Sequence, residues 1–221
     1  SDENNILFIA YKNSNIDLLS EDGTVANIPD LYRKNMSGSK KVNDICFFEN
    51  TAYLACDFGI TSLDLSKKEF KETYITESDN NDEKILNLTI YSNVIYAMSE
   101  NNITHCSINK NMLNYQNWEK IPNPDINKTN KNFLFKDSIL YLLKNDNTLY
   151  QYKNNLWSKY KTSINGLYAK NNILFLIDTN GVLIVGFYKI NNKSNIKNLK
   201  LSTRKQILMH VIICILLFQK K

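Results

Sequence analysis

Glycine and proline are scarce in this chain, six and three among 221 residues, which excludes collagen-like and proline-rich extended structures. There are two histidines, His105 and His210. His105 and Cys106 are neighbours in a strand pattern, so their side chains leave opposite faces and cannot chelate one ion. The four cysteines, Cys46, Cys56, Cys106 and Cys214, have no C-x-x-C spacing. Cys46 and Cys56 fall in apolar strand patterns, where cysteine acts as a small hydrophobe. No G-x-S-x-G, P-loop, G-x-G-x-x-G or H-E-x-x-H motif occurs. We therefore expect no enzyme: no catalytic residues, no cofactor and no metal.

A basic stripe on the folded body is lacking too. The formal charge of +5 misleads, because all 22 acidic residues precede Lys189, alongside 19 of the 27 basic ones. Residues 1–188 thus carry about −3, and direct nucleic-acid binding is not expected. From Lys189 onward the chain carries eight basic residues and no acid, and within that segment lies the apolar run 207–218. Twelve helical residues span about 18 Å, short of the roughly 30 Å of a bilayer core. Three readings of that run stand: a segment capping the fold, a membrane-associating tail with basic flanks, or the out-of-register end of a broken gene. The chain shows neither a starting Met nor a signal peptide, so Ser1 is expected to be an interior boundary of a longer product.

What is present is repetition. Tyr53-Leu54-Ala55-Cys56-Asp57-Phe58-Gly59-Ile60-Thr61-Ser62-Leu63-Asp64-Leu65 reads as an apolar strand, a tight corner and a second strand. Decayed copies stand at Leu7–Ala10 with Asn15-Ile16, and at Ile95–Met98 with Asn102-Ile103. The corner residues Asn15, Gly59, Asn102, Asn147 and Gly181 are spaced by 44, 43, 45 and 34 residues. Periods of 40–50 residues in β-type units are those of propeller blades, each about four strands. Glycine and asparagine tolerate positive φ best, which is the expected reason for their place at the corners.

The fold class is therefore all-β, a partial (open or incomplete) β-propeller of about four to five blades with four-stranded antiparallel units. It is expected over 1–188, with 189–221 a basic, then apolar tail outside the repeat. Trp118 and Trp157 hold equivalent places 39 residues apart. Packing between neighbouring blades is the first reading, a sugar-stacking platform the second. Ser20-Glu21-Asp22-Gly23-Thr24 lacks the spacing and closing aromatic of an Asp-box and reads as a plain turn. Asp57 and Asp64 are expected at a corner and a strand end, with Asp64 bonding backbone at a blade link.

Two linked runs carry a family resemblance. They are Ile9-Ala10-Tyr11 … Asn15-Ile16-Asp17-Leu18-Leu19 … Ile28-Pro29-Asp30 … Ser37–Ile45, and Ala52–Ile60 … Leu63-Asp64-Leu65 … Lys68–Tyr74. Together they resemble the amino-terminal propeller of PorZ-type proteins, surface components of the type IX secretion system. The likeness is dense over residues 6–75 and thins toward residue 188. It implies a non-enzymatic scaffold at the cell surface or in the periplasm, working beside a sortase in the complex that attaches cargo to anionic lipopolysaccharide. Its implied partners are secretion-system proteins and that lipopolysaccharide. No ligand-contacting residue carries over. Two alternatives remain: the periplasmic sensor propeller of a hybrid two-component regulator, which shares the hairpin with Gly59-Ile60, and a non-functional truncated remnant.

Overall fold

The computed structural model describes residues 6–77, 83–170, 173–181 and 183–187, which form five antiparallel sheets in chain order. The polar run Ser78–Asp82 and the tail expected over 189–221 lie outside the described residues. The first sheet holds β1 (Leu7–Ala10), β2 (Ile16–Leu19) and β3 (Val25–Ile28), followed by a one-turn helix, α1 (Asp30–Arg33). The second holds β4 (Val42–Phe48), β5 (Thr51–Cys56), β6 (Gly59–Asp64) and β7 (Glu69–Tyr74). The third holds β8 (Asn87–Tyr91), β9 (Val94–Met98), β10 (Ile103–Ser107) and β11 (Glu119–Ile121). The fourth holds β12 (Asn130–Lys136), β13 (Ile139–Lys144), β14 (Leu149–Lys153) and β15 (Leu156–Lys161). The fifth holds β16 (Ile164–Lys170), β17 (Ile173–Asp178) and β18 (Leu183–Phe187).

Every sheet is a meander of neighbouring strands, the blade unit of a partial propeller. The opening strands of successive blades touch: β8 lies against β4 and β12, and β12 against β16. They therefore line the inner side. One-residue irregularities recur near the start of these strands, at Val42/Asp44, Asn130/Asn132 and Ile164/Gly166. Such bulges bend a strand and sharpen its twist where blades converge. Among the described residues the first sheet has no innermost strand, and the fifth has no outermost one.

The second strand of each blade decides the packing. Its residues alternate between two seams, so both faces are buried and the sequence reads as an unbroken apolar run. Ala52, Leu54 and Cys56 of β5 join Ile16, Leu18 and Ile28 in the seam between blades 1 and 2. From the same strand, Tyr53 and Ala55 meet Ile95, Ala97 and Cys106 in the seam between blades 2 and 3. Met98 and Ile103 meet Leu140 and Leu142 between blades 3 and 4. Tyr141 and Leu143 meet Leu167, Leu174 and Leu176 between blades 4 and 5. Four shared cores thus join five sheets in series.

The same alternation places the side chains singled out in the sequence. Cys106 faces the second seam, whereas the His105 ring packs on Tyr96 at 5.4 Å, so the pair points to opposite faces. Trp118 is buried in the second seam with its indole N–H donating to the Met112 carbonyl at 2.9 Å. Trp157 packs on the third seam beside Tyr152, ring centroids 4.9 Å apart. Both tryptophans are interblade packing. Ser20–Thr24 is a plain turn between β2 and β3, in which Thr24 N–H donates to Asp22 Oδ1.

Candidate binding face

Strand directions alternate through each meander, which gathers two sets of loops at one end of every blade. One set is the corners between second and third strands. The other is the links from one blade to the next, residues 29–41, 75–86, 122–129 and 162–163. All five corner residues lie at this end, and the longest links rise beside them. The opposite end carries mostly two-residue turns, such as Glu49-Asn50 and Asp137-Ser138.

The corners are not all alike in backbone. Gly59, Asn147 and Gly181 have φ of 118°, 64° and 78°. At Asn15 and Asn102 the expectation of positive φ fails. In the first corner the left-handed residue is Ser14, φ 69°, while Asn15 accepts the Tyr11 N–H. Asn102 instead works through hydrogen bonds: its carbonyl accepts from Ser99 N–H and its side-chain amide donates to Glu77 Oε1 at 2.9 Å. The Asn102 side chain thus holds its corner by bonding, whereas at Asn15 the bond is made by the main-chain carbonyl.

Links are tied to corners by polar side chains. Ser14 donates to the Lys40 carbonyl at 2.7 Å. Asn43 donates to Asp57 Oδ1 and to the Ile85 carbonyl. Glu77 also pairs with Lys120 at 3.0 Å. The strongest tie is Lys144, at the end of β13. It is fully buried, and its ammonium donates to Asn123 Oδ1, the carbonyls of Asp125 and Lys128, and Asn130 Oδ1. Burial pushes this amine down to about 8, opposed by the nearby carboxylates Asp125 and Asp146. It thus stays an ammonium at neutral pH, an internal cation around which the 122–129 link is wrapped. Lys128 caps the arrangement by bridging Asp146 at 2.6 Å and Asp125 at 3.2 Å.

Asp57 and Asp64 stand at opposite ends of the β5–β6 hairpin, so they are not a carboxylate pair. Asp64 Oδ1 accepts the N–H groups of Ser66 and Lys67, both at 3.0 Å, and its Oδ2 pairs with Lys71 at 2.7 Å. These bonds hold its carboxyl down at about 2. Burial raises Asp44, whose Oδ2 accepts Leu88 N–H at 2.9 Å and ties β4 to the next inner strand. Burial also raises Cys46 and pushes Cys56 up to about 12, which keeps both thiols protonated. A cavity of about 100 Å³ beside α1 is lined by Leu31, Phe58 and Phe70, with Asp30, Lys34 and Lys71 at its rim. Among the described residues no group of three His, Cys, Asp or Glu side chains is placed to hold a metal, and no helix is long and apolar enough to cross a membrane.

The sequence matches the family of the PorZ N-terminal β-propeller domain over residues 1–119. Among solved structures, PorZ of Porphyromonas gingivalis, described as an essential bacterial surface component of the type IX secretion system, is similar with a TM-score of 0.66 and 20% identity. The likeness covers 84% of this chain and 26% of that one. The extracellular domain of a putative hybrid two-component system from B. thetaiotaomicron is similar at 15% identity and a TM-score of 0.61, covering 90% and 27%. BamB from Moraxella catarrhalis is similar at 14% and 0.59, covering 88% and 58%. The chain therefore spans about a quarter of the PorZ structure's length. No protein of curated function matches the sequence. At these identities the structural likenesses show the fold; the family match is a separate finding.

Proposed function

The chain belongs to the family of PorZ N-terminal β-propeller domains, and we propose that it is a non-enzymatic scaffold of type IX secretion, acting at the cell surface or in the periplasm. In this reading the corner face receives secretion-system proteins and supports the anchoring of cargo to anionic lipopolysaccharide. The observation that carries it is the family match over residues 1–119. A fold by itself licenses no function. The face suits the role because its links are pinned by the hydrogen bonds of Ser14, Asn43, Asn102 and Lys144, so a partner would meet a preorganised surface with little ordering left to do.

A tagged copy expressed in a bacterium that uses type IX secretion tests the protein arm by lysine cross-linking. Cross-links to secretion components from Lys12, Lys34 and Lys84, all in loops of the corner face, are expected. Cross-links confined to Lys67, Lys68 and Lys153 at the other end would refute the assigned face, and none to secretion components would refute the scaffold. For the lipopolysaccharide arm, purified protein is titrated with anionic lipopolysaccharide and with the same lipid lacking its anionic polysaccharide. Saturable binding to the first alone is expected; equal binding to both removes this arm. The sensor-propeller alternative has behind it the shared hairpin with Gly59-Ile60 and a likeness of fold at 15% identity, without a family match.

A further inference from the structure

Among the described residues Lys144 is the one buried lysine and Asn130 the one buried asparagine, 0% and 1% exposed. They touch: Nζ donates to Asn130 Oδ1 at 2.7 Å. The two residues stand directly opposite each other on the β12–β13 ladder, so both backbones are fixed. The amide is fixed as well. Its nitrogen donates to the Ser99 and Asn102 carbonyls at 3.1 and 3.4 Å, which turns its oxygen, and the carbon behind it, toward the amine. A C=O bond is about 1.2 Å long, so that carbon lies within about 4 Å of Nζ. This is close to the separation of a near-attack conformer.

The other oxygens around Nζ set the direction of its lone pair. An ammonium has three N–H groups, and four oxygens surround this one: Asn123 Oδ1, the Asp125 and Lys128 carbonyls, and Asn130 Oδ1. A neutral amine keeps two N–H groups. The three oxygens of the 122–129 link satisfy those, and the lone pair is left to face Asn130. Burial brings the amine down to about 8, so about a tenth of the molecules carry the neutral form at pH 7. The charged groups facing it are Asp125 and Asp146, which favour the ammonium, and Lys128, which bridges both carboxylates.

We propose that Lys144 and Asn130 join in an intramolecular isopeptide bond. Nζ attacks the Asn130 side-chain carbonyl carbon, a proton passes from Nζ to Nδ2, and the bond from that carbon to Nδ2 breaks. Overall, a lysine ammonium and a primary amide become a secondary amide and an ammonium ion, so atoms and charge balance without a co-reactant. The bond closes the β12–β13 hairpin covalently at its corner end, beneath the link that wraps Lys144. This inference does not depend on the secretion reading.

Mass spectrometry of the full chain, purified folded and then denatured, tests it. The intact chain is expected to weigh about 17 Da less than its sequence, the mass of the ammonia lost. Trypsin cuts after free lysine but not after an amide-linked one. Residues 129–131 should therefore be recovered joined to residues 137–153, uncut at Lys144. Lys144→Arg is expected at its full sequence mass; should that variant fail to fold, the wild-type peptides decide alone. An intact mass without the loss overturns the proposal, and so does free cleavage at Lys144. The same loss mapped to another place overturns it too, whether a succinimide at Asn165-Gly166 or Asn180-Gly181 or a link from Lys144 to Asn123.

Discussion

At the scale of single residues, the hairpin at Gly59 is the least forgiving site. Its φ is 118°, and a Cβ there would lie 2.7 Å from the Tyr74 carbonyl oxygen, a main-chain atom that cannot step aside. Gly59→Ala is expected to destabilise by about 3 kcal/mol, through backbone strain plus that clash. Gly181 has φ of 78° and nothing within 4 Å of the place a Cβ would take, so Gly181→Asn is expected to stay within about 1 kcal/mol. Chemical denaturation of both variants checks the contrast, and equal losses would refute it. In the sequence Gly59 and Gly181 look equivalent, since both mark a corner at blade spacing. What separates them is a carbonyl on a strand fifteen residues away, which no local pattern reveals. Asp64 supports a pH prediction. Its folded value of about 2 lies below its ordinary 3.8. A depressed carboxyl contributes stability that is complete above about pH 4 and is lost as pH falls toward 2. Melting temperatures measured from pH 5 to pH 2 should therefore fall more steeply for wild type than for Asp64→Asn; parallel curves would exclude this carboxylate as the cause.

At the scale of elements, second strands are legible in the sequence and links are not. Ile139–Leu143 announces a strand buried on both faces because every residue is apolar. Lys144 closes that run and reads as the polar end of a strand, yet it is buried completely. Two of its four acceptors are main-chain carbonyls, which leave no trace in residue type, and the other two are asparagines in a chain full of them. The corner spacing is visible for a similar reason: blade length fixes it, whatever bonds each corner uses. Hence Asn15 and Asn102 stand at the expected corners without the positive φ expected of them, and α1 leaves no signal beyond four residues after Pro29. Lys144→Met keeps the length of the side chain but leaves the buried oxygens without their donor. It is expected to destabilise by about 2–4 kcal/mol and to speed amide exchange at Asn130, whose N–H donates to the Glu100 carbonyl at 2.6 Å. Loss of stability with unchanged exchange there would mean that the lysine does not hold the link.

At the scale of the propeller, the serial arrangement of seams makes a claim about cooperativity. Each internal blade touches its neighbours through two cores, so stability is approximately a sum of blade and seam contributions, as in other repeat architectures. Leu140 and Leu54 are both fully buried leucines on second strands, in the third and first seams respectively. Truncating either to alanine removes a similar volume and is expected to destabilise by about 3 kcal/mol. Their effects should nevertheless fall in different places. Leu140→Ala loosens the seam between blades 3 and 4, so exchange protection should drop most across β12, β13 and β14 and least in β5 and β6. Leu54→Ala should lower protection in β2, β5 and β6 and spare β13. Were both variants to lose protection uniformly, the five blades would unfold as one cooperative unit and nearest-neighbour coupling would be the wrong description. A localised pattern would carry a further consequence. Blades 1 and 5, each with one seam among the described residues where the inner blades have two, would be the first to open.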